Sequence, residues 1–317
     1  MMLNYLWLTI GLILLLVGGE LLVRGAVGLA EKLKIPPLII GLTIVSFGTS
    51  APELFISVGA VLDGVGGIAL GNVVGSNITN VMLVLGLPAM TMAILCDEEG
   101  ISKNLVIMLA ITIIFMGMMA KGSLERWDGI ILLGLLVMFL YDQLRAARKA
   151  RADAVQTTDY HDEVSAIPTS GWVIGGLLVA GIAALPIGAE FTVNAATIIA
   201  KSWHVSDEVI GLTILAIGTS LPELSTTLMA SIRKSSSVAL GNVVGSNIFN
   251  IAAIMGITVT IKPIIVTDHI IGLDMWVMLG STVLLVLLAH YKKLIDFKKG
   301  AAMTIAYCIY VYLAFVY

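Results

Sequence analysis

The chain has 317 residues, of which 58% are hydrophobic and 12% charged, with a formal net charge of −3. Average soluble domains carry roughly 25% charged residues, so this composition excludes a disordered chain, a nucleic-acid binder and a secreted disulfide scaffold. A polytopic protein of the lipid bilayer remains, and Cys96 and Cys308 are too isolated to suggest a redox or metal pair.

Crossing a hydrocarbon core of about 30 Å takes roughly 20 apolar residues. Such runs are predicted at about 5–30, 36–61, 67–93, 103–120, 128–145, 172–200, 207–231, 238–261, 271–290 and 301–317. Nearly all are read as helical, because lipid offers no partner to a free backbone N–H or C=O. The first run has no basic leader or small-residue cleavage site and continues through Glu20 and Arg24. It is therefore expected to be a retained helix, with those two residues paired at i,i+4. Between the fifth and sixth runs, about 146–170, lies the polar stretch RKARADAVQTTDYHDEVS, which reads as a solvated linker. Trp7, Trp127, Tyr141, Trp172, Trp203 and Tyr291 lie near run ends, where an interfacial aromatic belt would place them. Asp63, Asp268 and Asp274 also lie near run ends and are expected to be solvated.

The two halves are related. Displacing the chain by 170 residues superposes Glu20 on Glu190, Glu53 on Glu223 and Asn80 on Asn250 without a gap. Residues 38–80 and 208–250 share 23 identities in 43 positions, including an unbroken ALGNVVGSNI. An odd number of spans per copy makes the second copy enter the membrane from the opposite side. The expected architecture is thus an all-α polytopic membrane protein of ten transmembrane helices in two inverted five-helix repeats. These are residues 1–145 and 171–317, joined by a cytoplasmic linker at 146–170, with the duplicated cores at about 36–93 and 207–261. In such folds the substrate lies near the midplane, where helices are interrupted. Lys and Arg set orientation: 13 collect on one set of ends and 4 on the other, with Arg24 left out. Both termini are accordingly expected outside the cytoplasm.

The duplicated polar motifs carry the chemistry. Gly48-Thr49-Ser50-Ala51-Pro52-Glu53 and Gly218-Thr219-Ser220-Leu221-Pro222-Glu223 lie inside the second and seventh runs. Each proline removes a helical hydrogen bond and frees carbonyls about one turn earlier. A carboxylate at membrane depth costs several kcal/mol unless paired or ligated, and no Lys or Arg lies within these cores. Carboxylates, hydroxyls and carbonyls form an all-oxygen set suited to a hard cation such as Ca²⁺ or Na⁺. The alternative is a structural proline kink carrying a protonated Glu. In the third and eighth runs Ser76, Asn80, Ser246 and Asn250 share a face and are candidates for completing an ion shell. Asn72 and Asn242 fit ligation and helix–helix bonding equally well.

FGTSAPE, IGTSLPE and the two GNVVGSNI stretches resemble the two α-repeats of the cation/Ca²⁺ exchanger superfamily, specifically its prokaryotic sodium/calcium exchanger branch. The resemblance covers essentially the whole chain. It implies antiport of Ca²⁺ against Na⁺ by alternating access across the cytoplasmic membrane, with the first and sixth helices sliding across the other eight. By the same resemblance Glu53 and Glu223 look like the central ligands. Thr49 and Thr219 match residues of the Ca²⁺ site, and Ser50, Ser76, Ser220 and Ser246 match side-chain Na⁺ ligands. Ser46 and Ala216 occupy positions whose carbonyls bind Na⁺, and Asn80 matches a midplane Asn. Asn250 departs from the pattern, since sodium/calcium exchangers commonly have Asp there. The implied partners are the transported cations and the bilayer; no cofactor, nucleic acid or obligate protein partner is expected. The rival readings are a proton-coupled exchanger of the same superfamily, a passive cation channel and a membrane-embedded hydrolase. The hydrolase lacks any HExxH, paired-Asp or Ser–His pattern.

Overall fold

The computed structural model describes residues 2–97, 100–154, 168, 170–203, 216–291 and 294–316. The helices are α1 Met2–Leu33, α2 Pro37–Thr49, α3 Ala51–Leu62, α4 Gly66–Ala89, α5 Ile101–Met119 and α6 Arg126–Ala154. They continue as α7 Gly171–Ser202, α8 Ala216–Gly218, α9 Leu221–Ile232, α10 Ser236–Ile261, α11 Ile270–His290 and α12 Phe297–Val316. Among the described residues seven helices are long and apolar enough to cross a membrane, and the pair α2–α3, bent by 45°, makes an eighth. The chain is therefore a mostly helical protein of many spans. Helix α12 stands at the tenth predicted run, and α8 and α9 cover the later part of the seventh, whose earlier part lies outside the described residues. Helix α6 runs to Ala154, so the expected linker begins as helix; most of its remainder is also outside the described residues.

Two short antiparallel pairings, which no hydrophobic pattern announced, clip the bundle. β1 (Ile94–Leu95) pairs with β4 (Leu294–Ile295), and β2 (Ser123–Leu124) pairs with β3 (Ile264–Ile265). The 19-residue helix α5 separates β1 from β2, a distance of about 28 Å at 1.5 Å per residue. The two pairings thus mark opposite ends of the bundle. The β1–β4 end also holds Ser236, whose hydroxyl accepts from the Leu95 N–H.

Burial identifies the centre: 83% of the α10 window and 72% of the α4 window are inside the protein, against 17% for α6. These two helices carry the GNVVGSNI sequences, whose small residues permit close approach. A Cβ on Gly241 would stand 2.8 Å from the Leu38 carbonyl oxygen and 3.0 Å from the Gly41 Cα, so α10 and α2 touch backbone to backbone. Tight turns keep each GNVVGSNI helix antiparallel to its Glu-bearing neighbour. Val65 N–H donates to the Ala60 carbonyl at 2.8 Å, and Ser235 N–H donates to the Ala230 carbonyl at 2.8 Å. Gly64 (φ 83°) and Lys234 (φ 57°) occupy the left-handed position of these turns, a conformation that costs a residue with a Cβ about 1–2 kcal/mol.

Helix α1 lies along α7 with glycines at the contact. A Cβ on Gly11 would meet the Thr192 N at 2.7 Å, one on Gly188 the Gly11 carbonyl oxygen at 2.9 Å, and one on Gly181 the Leu22 N at 2.8 Å. On its other side α1 meets α9, where Ser225 Oγ donates to the Leu15 carbonyl. That packing corrects the expected Glu20–Arg24 pair. Arg233, at the end of α9, donates to both Glu20 carboxylate oxygens through Nε (3.0 Å) and Nη2, a fork geometry that an i,i+4 neighbour does not offer. Asp63 and Asp268 are exposed as expected, but Asp274 is buried between His269 Nδ1 (3.0 Å) and Tyr310 Oη (3.0 Å). The six aromatics at run ends are 41% to 94% exposed on the outside of the bundle.

Because Gly188 meets backbone and Gly175 has nothing within 4 Å of its would-be Cβ, Gly188→Leu is expected to cost about 3 kcal/mol or more through overpacking. Gly175→Leu should be silent. Thermal unfolding of the two purified variants in detergent checks the contrast.

Candidate functional site

The two Pro-Glu motifs break their helices in the same way. Ser50 (φ −85°, ψ 6°) separates α2 from α3, and Ser220 (φ −90°, ψ 6°) separates α8 from α9. Proline at the start of α3 and α9 is tolerated because a first-turn N–H has no helical acceptor. Ser50 N–H still donates to the Ser46 carbonyl at 3.0 Å, which also accepts from Thr49 Oγ1 at 3.3 Å. Each break turns its Glu inward: Glu53 and Glu223 are both 0% exposed.

Ser50 Oγ donates to Glu223 Oε1 at 3.0 Å, crossing from one copy of the motif to the other. Among the described residues the remaining carboxylate oxygens, Glu53 Oε1, Glu53 Oε2 and Glu223 Oε2, have no hydrogen-bond partner. Ser220 Oγ, both amide atoms of Asn80 and Oδ1 of Asn250 are likewise buried without one. Thr49 Oγ1 lies 3.4 Å from Ser246 Oγ and donates to Asn242 Oδ1 at 3.2 Å. Buried polar atoms are nearly always paired, so this concentration of unpartnered oxygens marks the middle of the bundle as a site. Among the described residues no group of three or more His, Cys, Asp or Glu side chains converges. The donor set is two carboxylates with neutral hydroxyl and amide oxygens.

Helices α4 and α10 both widen here into π-helical turns, at Asn80–Val84 and Asn250–Met255, a feature often found at functional sites. A third such turn, Gly41–Val45, precedes Ser46 in α2. These turns could not be read from hydrophobic spacing; the Asn that opens each of the first two was the only available signal.

Not every expected residue has a free polar atom. Ser46 Oγ is occupied, donating to the Gly41 carbonyl of its own helix at 2.5 Å and lying 3.2 Å from the Asn242 carbonyl of α10. Asn72 and Asn242 resolve towards helix bonding. Asn72 Nδ2 donates to Ser57 Oγ at 3.1 Å and the Glu53 carbonyl at 3.4 Å, while Asn242 Nδ2 donates to Thr227 Oγ1 at 3.1 Å and the Glu223 carbonyl at 3.3 Å. Ala216 begins α8, and Thr219 and Ser76 line a cavity of about 970 Å³. Its other walls come from α3, the first part of α4, the start of α11 and the later halves of α7 and α12. All belong to the β2–β3 end, so the cavity reaches the motifs from that end, past Glu190, Asn194 and Asp274.

A many-span helical bundle with a polar interior reached from one end defines a membrane transporter. The family model described as sodium/calcium exchanger protein matches residues 3–145 and 173–316. The putative antiporter CaxA of Alkalimonas amylolytica is 37% identical over 99% of both chains. The sodium/calcium exchanger MaX1 of Methanosarcina acetivorans is 30% identical over 90% of both. A solved structure of the sodium-calcium exchanger NCX_Mj superposes with a TM-score of 0.83 at 30% identity, covering 98% of each chain. The chain belongs to the sodium/calcium exchanger family; it is a transporter and not an enzyme.

Two kinds of polar residue are thus distinguishable by stability. Asn242→Ala removes bonds that tie α10 to α9 and is expected to cost about 1–3 kcal/mol. Ser220→Ala deletes a hydroxyl without a partner and should leave thermal stability in detergent unchanged or slightly raised.

Proposed function

We propose that this protein exchanges Ca²⁺ against Na⁺ across the cytoplasmic membrane by alternating access, holding the ions between Glu53 and Glu223 near the midplane. The observation that carries the reading is the fully buried pair of carboxylates with three of four oxygens unpartnered. One Ca²⁺ cancels their charge, and so do two Na⁺. An empty site retains two negative charges in a low-dielectric interior, at several kcal/mol each. Loaded states therefore cross readily and the empty state does not, which makes transport an obligatory exchange.

The remaining oxygens take their proposed roles around that pair. Ser50, Ser220, Ser76, Ser246, Thr49 and Thr219 supply hydroxyls, Asn80 and Asn250 supply amide oxygens, and Ser46 and Ala216 contribute through backbone carbonyls. Sodium coupling is supported by the relatives named as sodium/calcium exchangers. The ten-span inverted-repeat plan is supported by β1 and β3, which are 170 residues apart in sequence and lie at opposite ends of the bundle. The β1–β4 end carries Lys32, Lys34, Arg233 and Lys234 and is assigned to the cytoplasm. Both termini and the open cavity then face outward.

A second reading, proton coupling, is favoured by one residue: Asn250 leaves the centre with two acids, which two protons would also neutralise. Proteoliposomes loaded with Na⁺ are expected to take up ⁴⁵Ca²⁺ only while an outward Na⁺ gradient is present. Glu53→Gln should slow initial uptake at least about 100-fold, equivalent to about 2.7 kcal/mol. Uptake driven by a pH gradient and indifferent to Na⁺ would replace sodium with protons.

A further inference from the structure

We infer that Asn77, which has not been assigned to the ion shell, is the positioning residue that decides which end of the Asn250 amide meets a cation. The inference rests on the proposed ion site and adds to it a residue that touches no ion. Asn250 Nδ2 donates to Asn77 Oδ1 at 3.2 Å, across the contact between α4 and α10. Asn77 is itself held on several sides. Its Nδ2 is directed at Met278 Sδ on α11 at 3.8 Å, and its backbone carbonyl accepts from Asn247 Nδ2 at 3.2 Å. Asn77 and Asn250 are 1% and 0% exposed, so water does not compete for these bonds.

The chemistry follows from the two ends of an amide. The oxygen accepts and can ligate a cation, whereas the NH₂ group carries positive partial charge and opposes one. A free Asn presents either end after a half-turn of its terminal torsion. With Nδ2 tied to Asn77 Oδ1, Asn250 has only Oδ1 left to offer, and that oxygen is one of the buried atoms without a partner. Reversing Asn250 would set two oxygens against each other. Reversing Asn77 with it would leave Asn77 Oδ1 facing a thioether that cannot donate. The lock therefore preorganises a neutral oxygen where the related exchangers commonly carry an acid.

The duplicated position behaves differently although its residues are the same. Displaced by 170, the bond would run from Asn80 Nδ2 to Asn247 Oδ1, and neither of those atoms has a partner. One of the two amides is thus held and the other is not, in a structure whose cavity lies towards the β2–β3 end.

Equilibrium binding of ⁴⁵Ca²⁺ to the purified full chain in detergent tests the lock through a double-mutant cycle. Asn77→Ala and Asn250→Ala are each expected to raise the Kd for Ca²⁺ about tenfold, and the double variant should bind no worse than Asn250→Ala alone. Asn77→Ser, which retains a shorter hydroxyl acceptor, should fall between wild type and Asn77→Ala; it also carries the cycle if the alanine variant does not fold. Effects that multiply in the double variant would show that Asn77 acts independently of Asn250 and overturn the inference. Wild-type protein that binds no Ca²⁺ would overturn the exchanger reading and this inference together, whereas binding with multiplicative effects overturns only the lock.

Discussion

The burial of Glu53 and Glu223 without a basic side chain beside them is the constraint on which the rest of the structure turns. Removing an ionised carboxylate from water costs several kcal/mol even after relaxation, while whole folds are stable by about 5–15 kcal/mol. With two such groups in one site, an empty state that keeps both charges is strongly disfavoured. The surroundings reduce the difficulty only in part: among the described residues Ser50 Oγ donates to Glu223 Oε1, and the other three oxygens have no hydrogen-bond partner. On the proposed reading the remaining compensation is the transported cation, and the same deficit that makes the site bind also forbids it from crossing empty.

Packing supplies the rigidity that keeps those oxygens in place. Helices α4 and α10 are the most buried spans; in α10 small residues admit neighbouring backbones, as Gly241 does against Leu38 and Gly41, whereas Gly71 and Gly75 of α4 line the cavity. Asn72 and Asn242 fasten each of these helices to the Glu-bearing helix beside it with the same pair of acceptors. Against that fixed framework α1 and α7 lie together on a glycine seam, secured to α9 by Ser225 and by the Glu20–Arg233 pair at the β1–β4 end. The cavity opens at the other end, where Glu190 takes the place of Glu20 and Asp63 that of Arg233, so no equivalent ion pair is available.

Much of this was legible in the residues. Apolar run lengths located the helices, and the 170-residue register singled out Glu53, Glu223 and their hydroxyl neighbours because the motif occurs twice. What escaped depended on distance in the chain. Glu20 has a visible partner four residues away and a better one 213 residues away, and only the fold brings Arg233 to it. Asp274 sits near a run end but is covered by Tyr310. The Ser46 hydroxyl, which no motif singles out, reaches the Asn242 carbonyl of α10. The clipped strands are two residues each, too short to leave a pattern. Asn77 was hidden by its own motif, since nothing in GNVVGSNI distinguishes an amide that faces the site from one that holds its neighbour.

The uncompensated carboxylate pair is tested most directly by thermal unfolding of the purified protein in detergent at neutral pH, with choline, Na⁺ or Ca²⁺ as the cation. Wild-type protein should be least stable in choline and gain several degrees in Tm with Na⁺ and more with Ca²⁺. The Glu53→Gln, Glu223→Gln double variant should be stable in choline and indifferent to either ion. A wild-type Tm that is the same in all three salts, or a double variant that still responds to Ca²⁺, would contradict the assignment of these two glutamates as the charge that the ions neutralise.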